Sequence, residues 1–223
     1  TMESNAQYAE KSYWDERFEK EAHYEWLAGF EAYKTVVLKH LKPSDRILHI
    51  GCGSSDLSMQ LYALGFTNIT NVDYSEVLIV ARREQHPEMQ WVCDDIRSMD
   101  KIASSSFDVV IEKATLEALL VKEKSAWTPS KSALDMLDSV FAAVLRVLVP
   151  GGLFVSVSFT QPHFRVPSLL RNPEWNVHLE HFGDHFHFYV YTCKKGDRPS
   201  DETVKRYSEI AADWLRDASG EDQ

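Results

Sequence analysis

The chain has 223 residues, with 24 Lys and Arg against 34 Asp and Glu, a formal net charge of −10. That length predicts one domain with small additions, and that charge disfavours a broad phosphate-binding surface, so nucleic acid is not an expected partner. No run approaches the roughly 20 apolar residues of a membrane span, and the polar, charged N-terminal stretch reads as carrying no secretory signal.

Taken in order, residues 6–20 read as a helix that groups Tyr13, Trp14, Arg17 and Phe18 within about a turn. A second helix is predicted over 25–41, where Trp26, Phe30, Tyr33, Val37 and Leu41 recur at three- and four-residue steps, and Pro43 stops it. Residues 46–50 form an apolar strand that runs into Gly51-Cys52-Gly53 and then into a helix over about 56–64. Glycines at such a turn let the backbone approach a ligand, and the helix start offers N–H groups. A second strand over 68–73 ends in Asp73, about 20 residues on, where a carboxylate can take ribose hydroxyls. The third glycine of a dinucleotide fingerprint is missing, since Asp56 stands at its position. A nucleoside ligand without a phosphate there fits, and S-adenosylmethionine (SAM) is one. The other reading is an ordinary strand-to-helix turn.

Ser75 caps a helix running to about Gln85, and Met89–Cys93 is a third strand followed by Asp94-Asp95-Ile96. A fourth strand, 107–111, leads directly into Glu112-Lys113-Ala114-Thr115-Leu116. Thr128 and Pro129 are read as the start of a long helix whose apolar face includes Leu134, Leu137, Phe141 and Leu148. A fifth strand is expected over 153–159, an unpatterned loop over 160–173, and a hairpin around Gly183-Asp184. An amphipathic helix over 201–216 closes the order.

Strands alternating with helices predict an α/β fold, Rossmann-like, with a seven-stranded and mostly parallel sheet. A terminal antiparallel β-hairpin completes the sheet, and helices lie on both faces. Ligands in such sheets bind at the carboxyl ends of the strands. Gly51, Gly53, Asp73, Asp95, Glu112, Lys113 and Phe159 all fall there. Residues 1–45 are read as N-terminal helices covering the site, 46–195 as the binding core, and 196–223 as a C-terminal helix or tail. Cys52, Cys93 and Cys193 lack metal-binding spacing, so free thiols in a reducing, cytoplasmic setting are expected. His178, His181, His185 and His187 crowd the hairpin, but no carboxylate or cysteine completes a set, and no metal is expected.

Tyr13-Trp14-x-x-Arg17-Phe18, Glu25-Trp26, Gly51-Cys52-Gly53, Val72-Asp73-Tyr74-Ser75, Asp95-Ile96, Glu112-Lys113-Ala114-Thr115-Leu116 and Val149-Pro150-Gly151-Gly152 carry a family pattern. It resembles the seven-β-strand SAM-dependent methyltransferases, and within them the branch of elongation factor 1-alpha lysine methyltransferases. The resemblance covers about residues 8–195. It implies a SAM site at Trp14, Phe18, Trp26, Gly51, Asp73, Tyr74, Asp95, Ile96 and Lys113, with S-adenosylhomocysteine (SAH) as product. It also implies a protein substrate, translation elongation factor 1-alpha. Two departures stand beside the expected transfer site: Ala114 where the family has glycine, and Glu117 where it has aspartate.

In that frame Asp73 is assigned to the ribose, Asp95 to the adenine amino group, and Tyr74 and Ile96 to the ring faces. Gly51 and Gly53 lie under the methionine portion. Arg17 is assigned to its carboxylate, with a surface ion pair as the alternative, and Trp14 and Trp26 to the sulfonium, since an aromatic face favours a cation. Glu112 is the catalytic candidate, orienting the acceptor amine. A small-molecule methyltransferase, with a pocket closed by residues 120–130 and 160–173, and a SAM-binding scaffold without catalysis are the competing readings.

Overall fold

The computed structural model describes residues 10–20, 27–184 and 187–211. Seven strands form one sheet in the order β3-β2-β1-β4-β5-β7-β6. They are β1 (Ile47–Ile50), β2 (Ile69–Asp73), β3 (Gln90–Cys93), β4 (Phe107–Lys113), β5 (Leu148–Ser158), β6 (Trp175–Phe182) and β7 (Phe188–Lys195). β1 to β5 run parallel, and β7 returns antiparallel between β5 and β6. The order reverses beside β1, so the crevice at its carboxyl end is the switch point where such sheets bind ligands.

Strand alternation sorts the two faces. Ile47 on β1 and Val109 and Ile111 on β4 pack with α2 (Phe30–Leu38), α3 (Leu57–Ala63) and α4 (Glu76–Gln85). Leu48, Ile50 and Val110 pack on the other face with α5 (Thr115–Leu120), α6 (Lys131–Val147) and α7 (Pro162–Leu170). The same alternation carries Lys113 to the first face and Glu112 to the second. Two further helices, α1 (Lys11–Lys20) and α8 (Asp201–Ser208), complete the set among the described residues.

Several boundaries differ from the sequence reading. α6 begins after Ser130, whose Oγ accepts from the Ala133 N–H at 3.2 Å, so Ser130 and not Thr128 is the cap. β5 begins at Leu148 and passes through Pro150-Gly151-Gly152, and its pairing with β4 shifts register between Phe107 and Val109. The 160–173 segment contains a helix. Pro162 sits in its first turn, where a missing N–H costs nothing, and Pro167 lies inside it on the buried side. The helix predicted over 25–41 is described from Phe30; Trp26 lies outside the described residues, as do His185, Trp214 and Leu215.

Candidate active site

A cavity of about 620 Å³ opens at the carboxyl ends of β1, β2 and β4. That is the size range of small-molecule and cofactor sites. Trp14, Gly51, Gly53, Asp73, Tyr74, Asp95, Ile96 and Lys113 all line it, so eight expected cofactor residues converge on one crevice. Cys52, Ser54, Ser55, Asp94 and Arg97 join them.

The glycine turn is built for close packing. Gly51 has φ +58°, and a Cβ there would lie 2.2 Å from Thr115 Cγ2. Glycine is therefore demanded by the start of α5, which crosses directly over the turn. Thr115 Oγ1 donates to the Gly51 carbonyl at 3.1 Å and fixes that crossing. From below, the buried Arg82 guanidinium of α4 donates to the Ser54 carbonyl. Arg82 escaped the sequence reading, although a charge on the Leu78–Ile79–Arg82 face of α4 was its signal.

Asp73 ends β2 inside the protein, with 5% of its surface exposed. Its Oδ2 accepts from the Gly53 N–H and its Oδ1 from the Ser75 N–H, both at 3.0 Å. A carboxylate has about four acceptor sites, so each oxygen keeps capacity for a hydroxyl. Burial pushes the carboxyl up to about 6, against the two N–H donors that favour its ionised form. Asp95 is more open. Arg97 grips it, Nη2 to Oδ2 at 2.6 Å and Nε to Oδ2 at 3.0 Å, and holds its carboxyl below the usual range. Its neighbour Asp94 is structural: Oδ1 accepts from the Asp95 N–H and Oδ2 from the Lys101 N–H.

α1 docks over this end. Asp15 accepts from the Ser75 hydroxyl, Lys11 sits 5.9 Å from the Tyr74 ring, and Trp14 reaches the cavity wall. Arg17 does not line the cavity; its guanidinium lies 5.7 Å from the Tyr13 ring and donates to the Tyr13 hydroxyl. Phe18 lies on α1 with its side chain outside the described set. Lys113 donates to the Ala28 carbonyl at 3.2 Å and lies over the Tyr33 ring, tying α2 to the crevice.

Glu112 is not in the cavity wall. It is fully buried on the opposite face of β4 from Lys113, where Oε2 accepts from the Thr115 N–H at 2.9 Å and Oε1 from the Ser156 hydroxyl. It holds the turn into α5. Burial, with the nearby Glu117 charge second, pushes its carboxyl up to about 7. After Lys113, Ala114 adopts a left-handed conformation, φ 57° and ψ 11°, a backbone that favours glycine.

Of the two glutamates, Glu117 is the one that reaches the cavity. It lines the wall together with Ala118, Val121, Met136 and Phe159, at the end away from Asp73. Its Oε1 accepts from Ser158, from Thr160 Oγ1 at 3.0 Å and from Arg165 Nη2 at 2.9 Å. Its Oε2 is buried and takes no partner among the described residues. Leaving such a group unsatisfied costs about 1–3 kcal/mol. The signal in the sequence was Ser156-x-Ser158, two hydroxyls on one buried strand face, of which Ser156 stands across from Glu112 and Ser158 donates to Glu117.

A family model described as a methyltransferase domain matches residues 48–156. EEF1A lysine methyltransferase 4 of Mus musculus is 39% identical over 201 residues, covering 87% of this chain and 78% of that protein. This chain belongs to that family of SAM-dependent methyltransferases. The eEF1A lysine and N-terminal methyltransferase of Homo sapiens is 34% identical over 166 residues, 72% of this chain but 23% of its own length. Among solved structures, the N-methyltransferase NodS of Bradyrhizobium japonicum with bound SAH shares the fold, at TM-score 0.56 and 15% identity over 82% of this chain and 99% of that one.

The cofactor of the family is SAM, and the residues present fit it. A buried carboxylate with spare acceptor capacity, a glycine turn and an aromatic wall occupy one end of the cavity. Among the described residues, no three His, Cys, Asp or Glu side chains come together to hold a metal ion. None of the described helices is long and apolar enough to cross a membrane.

Proposed function

We propose that this methyltransferase acts on a lysine side chain of a protein, with translation elongation factor 1A as the substrate. The names of its relatives support the substrate. The observation that carries the protein reading is the wall of the cavity. A small-molecule enzyme would need residues 120–130 and 160–173 to close the acceptor end, yet only Val121 of those segments lines it. Phe159 stands at that end and is 54% exposed, so the cavity reaches the surface there. A long side chain presented by a macromolecule can enter by such a rim.

SAM, when bound, supplies an electrophilic methyl group on a positively charged sulfur. The protein contributes alignment, which can supply much of the rate when reacting atoms are held about 3–3.5 Å apart. Asp73 and the Gly51–Gly53 turn would hold the nucleoside and the methionine portion, and Trp14 would face the sulfonium. Thr115, clamped to the Gly51 carbonyl, fixes α5 and its acidic side chain relative to that end. Purified eEF1A incubated with the protein and SAM is expected to gain mass in steps of one methyl group on a lysine, read by peptide mass spectrometry. Methyl recovered only in small molecules would move the reading to a metabolite acceptor.

A further inference from the structure

We infer that Glu117 is the residue that receives the acceptor amine: it binds the entering lysine ε-ammonium and takes the proton that must leave before the nitrogen can attack. The inference rests on the lysine reading above and deepens it. Among the described residues three donors crowd Oε1 and none reaches Oε2, so the carboxylate is held firmly by one oxygen while the other is left for a ligand donor. The side chain is 93% buried by that packing, its partner Arg165 more so. The anchoring residues come from β5, from α7 and from Thr160 in the link between them, so the carboxylate is fixed from outside its own helix.

Charge points the same way. Among the described residues, Glu112, Arg165 and, beyond them, Tyr191 interact with the Glu117 charge, and the Tyr191 hydroxyl donates to the Thr160 carbonyl at 2.6 Å. Two carboxyls face one guanidinium in a buried space. Above pH 7, where Glu112 ionises, one added positive charge balances the set, and an ammonium supplies it. Lys113 lines the same cavity, but its Nζ is directed to the Ala28 carbonyl at 3.2 Å, on the side of α2.

The step balances simply. The ammonium gives one proton to Oε2, and the freed nitrogen lone pair forms the N–C bond. The C–S bond breaks and its electron pair stays with sulfur. The N-methylated ammonium leaves, and Glu117 returns its proton to water, so one proton is released per methyl transferred.

The experiment compares wild type, Glu117→Gln and Glu117→Asp on purified eEF1A, following kcat/KM from pH 6.5 to 10 and SAH affinity by calorimetry. A lysine that titrates near about 10.4 without help gives a rate rising tenfold per pH unit toward that value. Wild type is expected to level off well below it. Glu117→Gln is expected to restore the tenfold slope and to lose about 100-fold at pH 7.5, the low end of what a positioned proton acceptor contributes, with SAH affinity within twofold. Rates within threefold of wild type, equal slopes, or a parallel loss of SAH affinity would each overturn the assignment, the last returning Glu117 to the cofactor. If the glutamine variant does not fold, Glu117→Asp decides, since it keeps the charge: a levelled profile at reduced rate supports the role, and the unassisted slope overturns it. No transfer to any lysine by wild type sinks the lysine reading itself and this inference with it.

Discussion

The two ends of one cavity are built in different ways. At the cofactor end, apart from Trp14 of α1, the key groups are local to strand ends: Gly51 and Gly53 after β1, Asp73 closing β2, Asp95 and Ile96 after β3. Backbone N–H groups satisfy Asp73 within a few residues of its own turn or of the neighbouring strand. At the acceptor end the central carboxylate is held by Ser158, Thr160 and Arg165, which stand 41 to 48 residues further along the chain. A site made of strand ends can be read from spacing. A site made by docking a helix onto a distant loop requires the fold.

The largest effect that would break this comparison lies where the two ends meet. Gly51→Ala must place a Cβ on Thr115 at a positive φ. Backbone strain and overpacking together should cost about 2–5 kcal/mol, read as a lower midpoint in urea unfolding. A variant of wild-type stability would mean that α5 is not clamped over the turn.

A smaller effect sharpens the cofactor end. Asp73 titrates near about 6 in the folded protein, raised from the usual 3.8 by burial. The folded state therefore holds this proton more tightly than the unfolded chain. The group's contribution to stability is fully present below its unfolded value and is lost as pH rises through about 6. Cofactor binding runs the other way, because ribose hydroxyls need the ionised carboxylate. Lowering pH from 7.5 to 5.5 should weaken SAH about fourfold by the protonated fraction alone, and Asp73→Asn should flatten that dependence. A pH-independent affinity in wild type would remove Asp73 from the ribose.

An effect of similar size belongs to Ala114, whose left-handed backbone is costly for any residue with a Cβ. Ala114→Gly should stabilise by about 1 kcal/mol, the relief of strain less the added freedom of the unfolded chain. Thermal unfolding would show it, and a loss of stability would mean that this turn is relaxed as it stands.

What was legible in the sequence follows the same division. The alternation of strands and helices and the strand-end places of Gly51, Gly53, Asp73 and Asp95 came from periodicity and spacing, whereas Trp14, Tyr74, Ile96 and Lys113 were assigned to the cofactor by the family resemblance. The role of Glu112 was not legible from residue type, because adjacent strand residues face opposite ways and only one of Glu112 and Lys113 can serve a given face. Three prolines hid α7, yet Pro162 is tolerated in a first turn and the buried face of the helix absorbs Pro167. With α7 hidden, Arg165 could not be connected to Glu117.

The central claim is that one cavity carries two chemically separate ends. Calorimetric titration of SAH into wild type, Asp73→Ala and Glu117→Ala tests it most directly. The expected result is at least a 100-fold loss of affinity in Asp73→Ala and a change of no more than about twofold in Glu117→Ala, both variants folded by circular dichroism. Equal losses in the two variants, or none in Asp73→Ala, would contradict it.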